Sequence, residues 1–223
     1  MSGEIYRIDI SIIDYRMSNL HSVQAACEYV GLKSEVTSDH KKILDSKIAI
    51  LPGVGSFGHA MENIKSSGLD MTIKEFISTG KQFVGICLGL QLLFEKSEEF
   101  GSYSGLNIIP GEVKMFDKKN FNSRKYKVPN IGWNKISKSD QKWDNTFLKG
   151  VSNGSFMYFV HSYFVLPSDE KMVLSQTNYG NINYCSSINY KNIFATQFHP
   201  EKSGKTGLKI YSNLLKGVYK NKR

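Results

Sequence analysis

Ile8 to Ile13 is an apolar-rich run ending at Asp14-Tyr15, and it predicts a first strand. Leu20, Val23, Cys27 and Val30 then recur at helical spacing, with Gly31 as the stop. That spacing puts Cys27 in the helix's buried stripe, where a small thiol packs rather than reacts. Glu35-Val36-Thr37 predicts a short strand, and Ile48 to Leu51 a buried one closed by Pro52-Gly53-Val54-Gly55. Helical patterns follow through Ala60 to Ile64 and Met71 to Ile77. Gln82 to Ile86 predicts another buried strand, after which Leu88 to Phe94 resumes helical character. Strands alternating with helices imply βαβ units and a parallel sheet.

The second half changes rhythm. Val128 to Ile136, Phe156 to Val165, Met172 to Gln176, Ile182 to Ile188 and Ile193 to Phe198 are short strand-like runs separated by Gly, Asn, Asp and Pro. An amphipathic helix over Leu208 to Tyr219 closes the chain. The expected architecture is α/β, with an antiparallel strand extension in the second half. With 223 residues, no visible linker and no repeat, one domain over residues 1–223 is expected. At 40% apolar residues the chain can close a sizeable core, which excludes general disorder. No run approaches the ~18 apolar residues of a membrane span. Glu4, Arg7, Asp9 and Asp14 interrupt the first apolar stretch, so a cytoplasmic protein without a targeting segment is expected.

The formal net charge of +9 first suggests nucleic acid, but its location argues otherwise. Lys114 to Lys142 carries nine Lys/Arg against Asp117 and Asp140, a local net charge of +7, in a stretch rich in Asn, Ser and Lys. A solvated loop or hairpin is the expectation there, with a surface for an anionic substrate or acidic partner as the alternative. No recognition motif accompanies the charge. Cys27, Cys87 and Cys185 lie far apart, with no Cys-x-x-Cys pair and no zinc spacing. Neither a disulfide framework nor a metal site is implied. Cys185, in an alternating strand, and Trp143, with the aromatics from Phe116 to Tyr126, are read as packing residues.

Three elements carry candidate chemistry. Gly85-Ile86-Cys87-Leu88-Gly89 follows an apolar strand and precedes a helix, the context of a nucleophile elbow. The turn strains the nucleophile's backbone, and glycines two before and two after leave room for close approach. A helix amino terminus facing the sulfur favours thiolate, and the Leu88 N–H is placed to hold an oxyanion. A buried structural Cys is the competing reading of this motif. His199-Pro200-Glu201 ends the last strand-like run. In extended chain, i and i+2 share a side, so Glu201 is expected to orient the His199 imidazole. Pro52-Gly53-Val54-Gly55 lacks the Lys-Ser/Thr of a phosphate loop, which leaves a second oxyanion donor as the more economical role.

These residues resemble those of class I glutamine amidotransferases, whose thiolate attacks the carboxamide of glutamine. The likeness runs through nearly the whole chain. It takes in Asp14-Tyr15, Asn19-Leu20, Ser22-Val23, Pro52 to Phe57, Gly85 to Phe94 and Glu98-Glu99. It continues through Gly132-Trp133-Asn134, Tyr158 to Tyr163 and Gln197 to Ser203. Within the class this set is similar to the glutaminase subunits of imidazole glycerol phosphate synthases. The resemblance implies a flavodoxin-like, mostly parallel sheet flanked by helices. It implies Cys87 as nucleophile, His199 as base and acid, and Glu201 as its orienter. Val54 and Leu88 would be oxyanion donors, and Gly53, Gln91, Glu99, His161, Ser162 and Tyr163 the substrate pocket. Asn19, Trp133, Tyr158 and Lys202 would face a partner, a (β/α)₈ cyclase that forms a heterodimer with an ammonia tunnel.

No cofactor, metal, nucleic acid or membrane is implied. One departure stands in the partner-facing loop: Arg16 and Ser18 occupy positions where the family has glycine, so a different loop backbone is expected. The departure bears on the partner and the ammonia acceptor, not on the glutaminase chemistry, and two alternatives to histidine biosynthesis stand beside it. One is the same glutaminase supplying a sugar amidotransferase in surface-polysaccharide biosynthesis, and the other is an inactive binding scaffold.

Overall fold

Apolar runs distant in sequence become neighbours in one sheet. In the computed structural model, which describes residues 8–16, 19–117 and 126–219, the first half runs β1 (Ile10–Ile13), α1 (Leu20–Tyr29), β2 (Ser34–Thr37), α2 (His40–Asp45), β3 (Ile48–Gly53), α3 (Phe57–Ser66), α4 (Leu69–Ser78), β4 (Gln82–Cys87) and α5 (Leu88–Leu92). The rest runs β5 (Phe94–Ser97), β6 (Tyr103–Ser104), β7 (Ile109–Met115), β8 (Asn130–Lys135), β9 (Ser137–Lys138), β10 (Phe156–His161), β11 (Tyr163–Pro167), β12 (Val173–Tyr179), β13 (Ile182–Tyr190), β14 (Ile193–Thr196) and α6 (Gly204–Tyr219).

Strands β2, β1, β3, β4 and β14 lie side by side and parallel. Every residue of β1, β3 and β14 is buried, because helices cover both faces of such a sheet. Alternate residues feed opposite sides. Ala49 and Leu51 join Phe57, Ile64, Ile73 and Phe76, while Ile48 and Ile50 join Val23, Cys27, Ile210 and Leu214. Beyond β14 the sheet continues antiparallel through β13, β11 and β7, the expected extension. It ends on β5, parallel to β7, and β6. Strands β8 and β10 form a separate antiparallel pair.

Helix α1 stops as its sequence predicts. Gly31, at φ +86°, donates to Glu28 O (2.9 Å), and Leu32 donates to Cys27 O (3.0 Å), the paired bonds of a Schellman motif. Three details differ from the sequence pattern. The helical run expected over Leu88 to Phe94 is cut at Leu92, because Phe94 already belongs to β5. The run from Phe156 to Val165 is two strands in two different sheets, broken at Ser162. Helix α2 has no counterpart in the periodicity: Ile43 is its one buried residue, and its start is set by Asp39, which accepts from Lys42 N (3.0 Å).

The packing readings hold for Cys27, Cys185, Trp143 and Phe116, while Tyr126 is half-buried and Phe121 lies outside the described residues. Cys27 is buried and its thiol is pushed up to about 12 by burial. Cys185 is buried too, which raises its thiol well above the ordinary range. Trp143 is buried and donates to Leu174 O (2.8 Å). Phe116 packs against Phe164 and Tyr184. Residues 118–125 of the basic stretch lie outside the described residues. Of the others, Lys114 bridges Glu98 and Glu112, and Lys138 lies over the Trp143 ring. Among the described residues no helix is long and apolar enough to cross a membrane.

Candidate active site

Cys87 is the last residue of β4 and Leu88 the first of α5. The change of direction falls on Cys87 itself, at φ +55° and ψ −109°, a conformation that non-glycine residues rarely hold. Contact crowds the first flanking glycine and forbids a side chain at the second. A Cβ on Gly85 would lie 3.0 Å from Gly89 O, and one on Gly89 would lie 1.8 Å from Leu51 O. Helix α5 has only five residues, so its effect on the sulfur comes from first-turn amides rather than a long dipole.

Gly53 stands opposite Cys87 in the β3–β4 register, so Pro52-Gly53-Val54-Gly55 leaves the sheet beside the elbow. Leu88 and Val54, the two candidate oxyanion residues, therefore follow directly on paired positions. Tyr15, buried at the end of the first strand segment, donates its hydroxyl to Pro52 O (2.8 Å). A Cβ on Gly53 would fall 2.3 Å from that hydroxyl.

Strand β14 pairs with β4 in parallel, Thr196 opposite Ile86, and so carries the chain to His199 at the same end of the sheet. His199 Nδ1 lies 2.8 Å from Glu201 Oε1. Both side chains are buried. The extended geometry expected for this pair is corrected by the structure: Pro200–Lys202 is a 3₁₀ turn. Lys202 N bonds His199 O (3.1 Å) and Ser203 N bonds Pro200 O (3.0 Å), so the carboxylate returns to the ring through the turn. Burial alone would lower the His199 pKa. The negative charges of Cys87 and Glu201 outweigh it and raise the ring above its ordinary 6.5. With Nδ1 given to Glu201, Nε2 is the nitrogen left for the sulfur. It has no aligned hydrogen bond to any described residue.

Among the pocket candidates, His161, Ser162 and Tyr163 span the junction of β10 and β11, and Gln91 bonds to it. Gln91 Nε2 donates to Tyr163 O (2.9 Å) and to Gln197 Oε1 (3.1 Å). Ser162 O accepts from Phe116 N (3.0 Å). Glu99 accepts from Phe57 N, the first amide of α3. Burial raises the Glu99 pKa against that bond, and the Tyr163 phenol is raised by burial and then by Glu99 and Glu98. A cavity of about 550 Å³ lies alongside, lined by His59, Glu62, Phe100 and Tyr103 among others. Of the expected site residues, Glu99 alone lines it.

His161 is buried. Its Nδ1 faces Tyr163 O (2.8 Å), which can only accept, so Nδ1 carries the proton. Nε2 then accepts from Asn130 Nδ2 (3.3 Å) and Tyr184 Oη (3.2 Å). Burial lowers its pKa to about 4. An unfolded chain titrates the same ring near ~6.5, so between these values the unfolded state binds more protons. The stabilisation is complete above the unfolded value and drains as pH falls through the folded one. Urea unfolding is expected to show the chain losing about 2 kcal/mol more than His161→Gln between pH 7.5 and 5. Equal losses in the two proteins would contradict this.

Two of the partner-face candidates, Asn19 and Tyr158, bond directly to the His199–Glu201 segment. Trp133 and Tyr158 are paired across β8 and β10, rings 6.0 Å apart, and Trp133 is half exposed. Tyr158 O accepts from His199 N (2.9 Å). Lys202 is exposed on the 3₁₀ turn. Asn19 Nδ2 donates to Glu201 Oε1 (2.8 Å), which ties this partner-face candidate to the His199–Glu201 pair. Arg16 takes φ +66° in spite of its side chain, with its N–H bonded to Asp14 Oδ1 (2.8 Å), so the backbone adopts the left-handed form without glycine. Ser18 lies outside the described residues.

Gln197 opens the Gln197–Ser203 motif but has no role assigned from sequence; it is fully buried and donates from Nε2 to Cys87 Sγ (3.7 Å). The available signal was spacing, since Gln197 and His199 are two apart at a strand end.

The family described as glutamine amidotransferase class-I matches residues 11–217. The chain is 46% identical to the imidazole glycerol phosphate synthase subunit HisH of Aquifex aeolicus, covering 94% of this chain and 97% of that one. It is 47% identical to the subunit HisH of Caldanaerobacter subterraneus, covering 92% and 96%. The solved structure of PurLQS from Thermotoga maritima shares the fold, with TM-score 0.71 at 16% identity over 95% of this chain and 99% of that one.

Proposed function

The chain belongs to the class I glutamine amidotransferases, and on that premise we propose that it is the glutaminase subunit of an imidazole glycerol phosphate synthase. It hydrolyses glutamine to glutamate and ammonia through a Cys87 thioester. The ammonia passes through a tunnel to a (β/α)₈ cyclase subunit, which makes imidazole glycerol phosphate and aminoimidazole carboxamide ribotide. The observation that carries the reading is Cys87 at φ +55° on a strand-to-helix turn, with a His199–Glu201 pair brought to the same end of the sheet.

The thiolate attacks the side-chain carbonyl carbon of glutamine, forming the C–S bond. The carbonyl oxygen becomes an oxyanion held by the N–H groups of Leu88 and Val54, each such donor being worth about a hundredfold or more in rate. Protonated His199 gives its proton to the leaving nitrogen, which departs as ammonia and leaves a glutamyl thioester. His199 then takes a proton from water, whose oxygen attacks the thioester carbon. The C–S bond breaks, glutamate leaves and the thiolate returns. Gln91, Glu99, His161, Ser162, Tyr163 and Gly53 form the glutamine pocket in this reading.

Relatives at this identity are named as subunits of a synthase, which supports a partner subunit for this chain. Asn19, Trp133, Tyr158 and Lys202 form the face it docks on. Ammonia released into bulk water would be protonated, so useful transfer requires that docked face and an enclosed path.

The test is glutamine hydrolysis with and without the cyclase subunit and its ribonucleotide substrate. Stimulation by the cyclase supports the synthase. Turnover that the cyclase leaves unchanged points to another acceptor such as a sugar amidotransferase, and no turnover under any condition points to a scaffold. Within the same assay Glu201→Gln is expected to be milder than loss of the nucleophile. It keeps His199 in place while removing the orienting charge, and a rate equal to the unsubstituted chain would refute the orienting role.

A further inference from the structure

We propose that Gln197 is an additional catalytic residue: its side-chain amide donates to the Cys87 sulfur while Gln91 holds that amide in the required orientation. The proposal deepens the glutaminase reading and rests on it. Gln197 is 0% exposed, and its backbone N–H is committed to Ser186 O (2.9 Å). The side chain therefore has no solvent to satisfy it and must find its partners inside the site.

Its orientation follows from the partners. Gln91 Nε2 has two N–H groups, one given to Tyr163 O at 2.9 Å and the other to Gln197 at 3.1 Å. Gln91 thus presents a donor to Gln197, which must answer with Oε1. That leaves Gln197 Nε2 facing Cys87 Sγ at 3.7 Å. The flipped amide would set two donors against each other and turn an oxygen toward the sulfur. The protonated thiol has its own acceptor, Val160 O at 3.9 Å. The ionised sulfur cannot donate and needs donors instead, which the Gln197 amide supplies.

The N–H···S bond strengthens when sulfur is anionic and weakens when it is acylated. Gln197 therefore holds the charge that attack consumes and that thioester hydrolysis regenerates, so it serves the leaving thiolate in the second half-reaction. The other titratable groups near the sulfur are His199, from the end of β14, and Tyr15, whose neutral phenol is committed to Pro52 O. Neither replaces the amide. His199 must move its proton during the reaction, and Tyr15 is already used.

The experiment measures iodoacetamide alkylation of Cys87 in the full chain, with the labelled peptide identified, beside glutamine kinetics of the cyclase-bound form. Gln197→Met keeps the volume and removes the donor. Its Cys87 alkylation rate at pH 8 is expected to fall about tenfold, with kcat falling similarly and KM changing by less than about threefold. Gln197→Glu sets a carboxyl beside the sulfur. Its rate is expected to fall below that of the Met variant at pH 8. Relative to the unsubstituted chain it should recover as the pH drops and the carboxyl gains a proton to donate. A merely structural residue would lower the unfolding midpoint without that acid recovery.

Alkylation rates within twofold for all three proteins overturn the proposal, as does a Glu variant with no acid recovery. Glutamine turnover that survives Cys87→Ala would instead refute the amidotransferase mechanism itself, so the two failures are separate.

Discussion

Cys87→Ala is expected to abolish ammonia release from glutamine, with a loss of ~10⁴-fold or more in kcat. The mechanism proposed here forms a covalent bond to that sulfur, and no other described side chain can take its place. Cys27 and Cys185 are buried in the core with their thiols raised by that burial, which disfavours the nucleophilic thiolate. Oxyanion donors and pocket residues would remain in the variant, but water would have to attack an amide without a thioester intermediate. Retention of even a tenth of the rate in the cyclase-bound enzyme would refute the assignment. Circular dichroism and the unfolding midpoint should stay close to those of the unsubstituted chain, because alanine removes one atom and adds no clash.

Gly89→Ala is expected to damage both fold and site. The added Cβ would lie 1.8 Å from Leu51 O and 2.8 Å from Leu51 C, both backbone atoms of β3 that no rotamer change can move. Either α5 leaves its place after β4 or β3 shifts, and β3 carries Pro52 to Gly55 with it. The expected cost is about 3 kcal/mol or more, read as a fall in the urea midpoint, together with loss of turnover. Gly31→Ala is the matched control. Its Cβ would meet nothing within 4 Å, so only the φ of +86° resists it, at about 1–2 kcal/mol with turnover kept. Equal stability and turnover in Gly89→Ala would show that the elbow tolerates a side chain, and the close-approach argument would fall.

The elbow is legible in the sequence because it is local. An apolar run that must be a buried strand, a Cys at its end and glycines two residues either side constrain one another within five positions. The same holds for the Schellman stop at Gly31 and for the stripe that buries Cys27. Strand existence was legible wherever both faces are covered, as in β1, β3 and β4, since a doubly buried strand reads as a continuous apolar run. Which strands pair was not. The break at Ser162 that sends β10 and β11 into different sheets leaves no mark in hydrophobicity, because both halves are buried on some face.

Within the site, the chain alone determined residue types and local geometry: a thiol on a turn, a His and a Glu two apart, a glycine-rich exit from a strand. Tertiary structure decided what meets what. The β4–β14 pairing carries His199 to the end of the sheet where Cys87 turns, the β3–β4 register sets Gly53 opposite the nucleophile, and the 3₁₀ turn after His199 does what extended chain was expected to do. Only folding could reveal that Asn19 is bonded to Glu201 and that Gln197 completes a chain from Gln91 to the sulfur. The physical reason is range. Backbone strain and burial are set by neighbours within a few residues, whereas hydrogen-bond partners 106 to 182 residues apart are chosen by sheet register, which no single segment encodes.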